Sequence, residues 1–292
     1  MTQEIPIIDF SENIVEDNAL KFISVSQALG LLSEPFNSDE VAQKTYDKHF
    51  NNPDSQYYHK TKDEIKAMWE AKGAESCNYG RMLDEYIRVM LEGDSDDVAM
   101  YELDNDIDGD ERLNGLCKSF NQFLQYIKEK RPSMQYVTRE KMLYYKISDF
   151  YVRGRFDALF YDTEKKKWII VDWKSSGTID KEKNKWTKNL LGPARIFPAL
   201  NWYTYTLQVY LYKAALLAHY LPEGTSPDDI EVYIVNLPGK PVQQENIGED
   251  INNARYFAIH SPAFAYDKTI IDNIFNFAFK KNELLEKKKT VQ

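Results

Sequence analysis

The pattern of apolar and polar positions is sharpest in the second half of the chain. From Gly154 to Tyr161 (GRFDALFY) large apolar residues alternate with others, as in a half-buried strand. From Trp168 to Lys174 (WIIVDWK) β-branched and aromatic residues run almost unbroken, which suits a central strand. Asp162–Lys167 (DTEKKK) between them is polar and turn-forming, so the two segments predict a β-hairpin. Strands are thus expected over about 141–147, 153–161 and 168–174. Leu207–Leu217 (LQVYLYKAALL) combines good helix formers with apolar residues three and four apart, and predicts a helix ending near Leu221-Pro222. Glu231–Leu237 (EVYIVNL) predicts a further strand, stopped by Pro238-Gly239. Asp267–Lys289 predicts a helix whose terminal lysines suit the negative end of its dipole. Upstream, Thr61-x-x-Glu64 is a capping-box pattern. Helices are expected to dominate from there to about 130, and residues 1–20 read as an acidic lead-in. No internal repeat or low-complexity linker divides the chain.

The hairpin carries the candidate chemistry. Residues two apart on a strand share a face, so Asp172 and Lys174 project together while Trp173 turns away. The hairpin can bring Asp157 beside them. Hydrolysis of a phosphodiester must stabilise charge growing on an already negative phosphate. Mg2+ or Mn2+ does this, and hard cations favour oxygen ligands. Asp157 and Asp172 would supply carboxylates, and the main-chain carbonyl of Trp173 a third oxygen. Lys174 would orient or help deprotonate the attacking water, or hold the phosphate. Taken alone, D-x-K also describes a surface hairpin with a salt bridge. Gln208 and Tyr212 lie one helical turn apart on one face, an alignment that an ordinary amphipathic helix also produces.

Composition limits the alternatives. In 292 residues, 43% are hydrophobic, enough for a sizeable core, and a net charge of −9 argues against broad coating of nucleic acid. A local basic stretch remains: Lys181, Lys183, Lys185, Lys188 and Arg195 follow the Asp172 strand. It reads either as a loop where DNA enters, gripping phosphates, or as a solvated surface loop. The abundance of aromatics, Tyr 20 and Phe 15, fits a core and also stacking on unpaired bases. Two cysteines without a C-x-x-C pattern give no expectation of zinc, and cannot hold a four-cysteine iron–sulfur cluster. The start of the chain lacks signal-peptide features and no run is long enough to span a membrane, so a cytoplasmic protein is expected. Asp104-Asn-Asp106-Ile-Asp108-Gly109 copies half of a calcium loop. Its twelfth position is Gly115 rather than Glu, so an acidic surface loop is expected.

The order G-x-x-D (Gly154, Asp157), D-W-K-S-S (Asp172–Ser176) and Q-x-x-x-Y (Gln208, Tyr212) resembles the RecB-like branch of the PD-(D/E)XK nuclease superfamily. Within that branch the chain is similar to exonucleases of phages and large viruses, which also resemble the mitochondrial genome-maintenance exonuclease. The likeness extends over residues 20–220, through Phe22–Gly30, Thr61–Glu70 and Leu191–Gln208. It implies an α/β fold with a restriction-endonuclease-like core, a mixed central sheet flanked by helices, and a helical N-terminal part. The expected division is 1–135, wrapping the DNA path, and 136–292, the nuclease core, as one integrated domain. The resemblance implies metal binding by Asp157 and Asp172, catalysis by Lys174, positioning by Gln208 and Tyr212, and an upstream acid at Glu140. A histidine common in the family at G-x-x-x-H is replaced here by Asp84, itself a candidate ligand. The implied activity is that of a Mg2+- or Mn2+-dependent DNA exonuclease on single strands or ends, in replication, recombination or repair. Replication or recombination proteins of a phage or host are the implied partners. The alternatives are a structure-specific or restriction-type endonuclease, and a non-catalytic nucleic-acid-binding or virion-associated module.

Overall fold

The expected hairpin lies inside a five-stranded sheet, and a separate three-stranded sheet takes in a strand from near the start of the chain. The computed structural model describes residues 5–10, 21–242 and 255–290, so most of the expected acidic lead-in lies outside the described residues. In chain order, β1 (Lys21–Ser24) and α1 (Val25–Gly30) precede α2 (Ser38–His49), α3 (Lys62–Glu92) and α4 (Ser95–Asp104). Helix α5 (Glu111–Lys130) leads into β2 (Met134–Arg139), β3 (Met142–Ile147), β4 (Phe150–Arg155), β5 (Ala158–Asp162) and β6 (Lys167–Lys174). A 3₁₀ turn at Gly192–Ile196 precedes α6 (Asn201–Ala215), which ends in a π turn at Leu216–Tyr220. Strands β7 (Ile230–Asn236) and β8 (Ala258–His260) and helix α7 (Lys268–Thr290) complete the order.

Residues 35–114 form one compact unit; residues 1–34 and 115–292 form another. In the helical unit the capping box is present: Glu64 N–H donates to Thr61 Oγ1 at 3.3 Å, and Thr61 N–H to Glu64 Oε2 at 2.7 Å. The calcium-like loop leads to Asp110, whose Oδ1 accepts the N–H groups of Arg112 at 3.0 Å and Leu113 at 2.9 Å. That carboxylate satisfies the start of α5 as a helix cap.

In the other unit the described strands make a sheet of order β1-β4-β3 and a sheet of order β2-β5-β6-β7-β8. The expected hairpin is β5–β6, antiparallel, with Ala158 opposite Val171 and Asp162 opposite Lys167. Strand β7 runs parallel to β6. A parallel neighbour needs a crossover, and α6 supplies it. The single half-buried strand expected over 153–161 is corrected. Strand β4 ends at Arg155 in the small sheet, and the chain passes through Phe156-Asp157 into β5 of the large one. Every residue of β5 is buried, because β2 and β6 flank it and both its faces are covered. The alternation over 154–161 straddles two strands. Strands β1, β2 and β8 lie outside the expected strands.

The faces of β6 divide as alternation requires. Trp168 and Ile170 join the core shared with Leu207 and Leu211 of α6, whereas Trp173 meets Phe120 and Phe123 of α5 edge-on, at 5.5 and 5.1 Å. Helix α6 contacts β3 of the small sheet and both β6 and β7 of the large one. From Thr206 to Ala215 every residue except Gln208 is buried. Helix α7 buries Ile271, Ile274, Phe275, Ala278 and Phe279 at helical spacing, and Phe279 stacks on Phe150 at 3.9 Å. No helix among the described residues is long and apolar enough to cross a membrane.

Gly154 sits where α6 and α1 close on β4. A Cβ there would lie 2.6 Å from Val25 Cγ2 and 2.9 Å from Tyr212 Cε1. Gly154→Ala is therefore expected to cost about 1–3 kcal/mol, the range for overpacked interiors. Gly30→Ala, with open space around its Cβ, is expected to change stability by no more than about 1 kcal/mol. Urea unfolding midpoints of the two variants check this; equal midpoints would mean that the Gly154 contact is not tight.

Candidate active site

The break between β4 and β5 delivers Asp157 to the end of β6. Asp157 precedes Ala158, which pairs with Val171, so its carboxylate reaches the next residues of β6: Trp173 N–H donates to Asp157 Oδ2 at 2.6 Å. Asp172 is fully buried on the α6 side of the sheet. Lys174 Nζ lies 2.6 Å from Asp172 Oδ2, and its side chain is only 16% exposed. Among the described residues Asp172 Oδ2 has this ion pair and no well-angled hydrogen bond, and Oδ1 has no hydrogen-bond partner.

Helix α6 fixes the lysine. Lys174 Nζ donates to Gln208 Oε1 at 3.3 Å, and Gln208 Nε2 donates to the Tyr212 hydroxyl at 3.1 Å. The sole gap in the buried stretch of α6, at Gln208, is thus the position whose side chain hydrogen-bonds the lysine. The Tyr205 ring lies 4.5 Å from the ammonium, close enough for a cation–π contact.

The charges are poised against each other. Burial, with the neighbouring Asp172 charge adding to it, pushes the Asp157 carboxyl well above the ordinary carboxylate range. Burial pushes Asp172 up as well, against the pull of Lys174. Burial alone would lower Lys174, but the two carboxylates outweigh it and hold the ammonium above its usual value. Burial also raises the Tyr212 hydroxyl, which stays protonated and able to donate or accept a hydrogen bond. Two acids face one ammonium, an imbalance that a divalent cation would relieve.

The donor set fits a hard divalent ion: two adjacent carboxylates, one with an unsatisfied buried oxygen. Among the described residues no group of three or more His, Cys, Asp and Glu side chains is assembled for a metal. Within this unit Asp157 and Asp172 are the carboxylates that would hold an ion, with main-chain or solvent oxygens also able to contribute.

The other sequence candidates fall out as follows. Glu140 lies just past β2 with φ +52°; its N–H donates to Phe156 O at 3.1 Å, and its carboxylate faces Arg155 at 3.4 Å. Its charge reaches Asp157 and helps to raise it. Asp84 belongs to the helical unit, on the exposed side of α3. Lys181, Lys183, Lys185, Lys188 and Arg195 are all exposed between β6 and α6. Lys183 donates to Asn189 Oδ1 at 3.0 Å and Lys188 pairs with Glu34. Two neighbours of the lysine went unread in the sequence. Tyr205 stands three residues before Gln208, a spacing that could have shown it. Asn236, buried opposite Lys174 on β7, becomes visible only through strand register.

Comparison with curated proteins finds no match. A family model described as the PD-(D/E)XK nuclease superfamily matches residues 41–283. That span takes in β5, β6 and α6 with Asp157, Asp172, Lys174, Gln208 and Tyr212, and most of the sequence. The chain belongs to the PD-(D/E)XK nuclease superfamily.

Proposed function

We propose that this nuclease is a Mg2+- or Mn2+-dependent DNA exonuclease acting on single strands or DNA ends. The observation that carries the metal-dependent hydrolysis is the buried Asp172, with one oxygen unpartnered among the described residues, set between Asp157 and a Lys174 held by Gln208. The choice of DNA ends over internal sites rests on the resemblance of residues 20–220 to viral exonucleases.

Asp157 and Asp172 would hold the ion, which when bound supplies Lewis acidity toward the phosphate and eases deprotonation of water. Lys174 presents a protonated ammonium at the same end of β6, where it can hold a phosphate oxygen or orient the attacking water. Gln208 keeps that ammonium from swinging away, since its amide oxygen takes one of the three ammonium protons. Tyr212 accepts from the Gln208 amide and so sets which end of the amide faces the lysine. In the reaction the water oxygen bonds to phosphorus and gives up a proton to solvent, the phosphodiester P–O bond breaks, and the leaving oxygen takes up a proton from solvent. Exposed Lys181, Lys185 and Arg195 would guide the strand through phosphate contacts without reading its sequence.

Asp172→Asn is expected to lower cleavage of single-stranded DNA by at least about a hundredfold while unfolding remains cooperative. Gln208→Leu is expected to lower kcat by about 10–100-fold, the scale for partners that orient the acting groups. A purified Asp172→Asn protein that cleaves at near wild-type rate would contradict the site.

Linear single strands are expected to be degraded from their ends while covalently closed circles survive under the same Mg2+ conditions. Rapid nicking of the circles, followed on a denaturing gel, would favour an endonuclease.

The strained carboxylate pair has a stability signature in chelator. Asp157 has a raised pKa in the folded state, so the folded protein binds its proton more tightly than the unfolded chain does. Its contribution to stability is full below the unfolded value of about 4 and is lost as pH rises through the folded value. Asn keeps an acceptor for Trp173 N–H and carries no charge. Asp157→Asn should therefore melt higher than wild type at pH 8, and this gain should vanish as pH falls toward about 4. A pH-independent difference between the two would show that Asp157 is not under charge strain.

A further inference from the structure

We infer that Trp186 is a stacking platform for an unpaired base of the bound strand. The inference rests on the nuclease reading in taking DNA as the ligand. Trp186 is 78% exposed. Exposing so large an aromatic surface forgoes its burial, and the loop around it is built to do so. Asn184 Oδ1 accepts the Trp186 N–H at 2.8 Å, and Asn184 N–H donates to Thr187 Oγ1 at 3.0 Å. The Thr187 N–H in turn donates to Asn184 O at 3.0 Å. This closed turn fixes the main chain at Trp186 within the stretch between β6 and α6, and the side chain stands exposed from it.

The stretch is also tied down at both ends. Asp180 N–H donates to Asn201 Oδ1 at 2.8 Å, at the start of α6. Ala199 N–H donates to Lys188 O at 2.8 Å, and Leu190 N–H to Phe197 O at 3.0 Å. Trp186 is thus presented on an anchored loop.

Charge identifies the occupant. From Asp180 to Lys188 four lysines stand against two acids, in a chain whose net charge is −9. Lys185 lies 5.1 Å from the Trp186 ring. An exposed indole among lysines suits a ligand with flat π-faces on an anionic backbone, which is a single strand. A duplex hides its base faces in the stack.

Helix α6 links the loop to the chemistry. Tyr205 stands four residues after Asn201 and three after Trp202, and Gln208 three after Tyr205, so these side chains lie toward one side of the helix. Asn201, Trp202, Tyr205 and Gln208 hold in turn the Asp180 main chain, the Lys181 ammonium at 5.0 Å, the Lys174 ammonium at 4.5 Å, and Lys174 again. From Trp202 to Gln208 the helix rises about 9 Å, so the root of the Trp186 loop lies only a few stacked bases from Lys174.

The test is binding of a labelled oligothymidine to the full chain in chelator, followed by fluorescence anisotropy. An abasic strand of equal length serves as the control. Trp186→Ala is expected to weaken oligothymidine binding about tenfold, the scale for loss of one stacked base. Trp186→Phe should restore most of it, and the abasic strand should bind wild type and Trp186→Ala alike. The same Kd for wild type and Trp186→Ala, or an equal loss on the abasic strand, would overturn the inference. Base-dependent binding through Trp186 in a protein that cleaves nothing would uphold it while the proposed nuclease activity fails.

Discussion

At the end of β6 Asp172 is fully buried and Lys174 mostly so, with their charged groups 2.6 Å apart. Removing either partner from a buried pair is costly, because the other is left uncompensated. Here the pair is also unbalanced, since Asp157 adds a second carboxylate against the same lysine. A core optimised for stability alone would replace this cluster with apolar side chains. The fold instead surrounds it with groups that hold the lysine and, among the described residues, leave one Asp172 oxygen without a hydrogen-bond partner.

Much of the architecture bears on that arrangement. The parallel pairing of β6 with β7 requires a crossover, and the crossover helix carries Gln208 and Tyr212. Because α6 is enclosed between the two sheets, its rotation is set by burial on nearly every side. Gln208 is thereby aimed at Lys174. Gly154 belongs to the same constraint: its missing side chain admits the Tyr212 ring. The G-x-x-D pattern thus joins a packing requirement at Gly154 to a chemical one at Asp157. The rings of Phe120 and Phe123 against Trp173 hold the opposite face of β6.

The features legible in the sequence were those set by short-range pattern. The β5–β6 hairpin, the shared face of Asp172 and Lys174, the one-turn spacing of Gln208 and Tyr212, and the later strand and helix follow from periods of two and of about 3.6 residues. What escaped depends on distant pairing. Strand β1 has four residues and pairs with β4 from far along the chain. Strand β2 pairs with β5 through a register shift between Tyr136 and Thr138, which disturbs simple alternation. The passage at Phe156-Asp157 was hidden because only those two residues separate the end of β4 in one sheet from the start of β5 in the other. Asn236 is a neighbour of Lys174 solely through strand register. The calcium-like spacing of Asp106 and Asp108 leads to an acid at Asp110 that caps a helix, a local backbone need that mimics a ligand motif.

The central claim is that Asp157 and Asp172 form a divalent-cation site. Calorimetric titration of Mn2+ into chelator-treated, dialysed protein tests it most directly, with Asp172→Asn and Asp106→Ala alongside. The account predicts saturable binding to wild type and to Asp106→Ala, and its loss in Asp172→Asn. Binding that survives in Asp172→Asn but disappears in Asp106→Ala would contradict it.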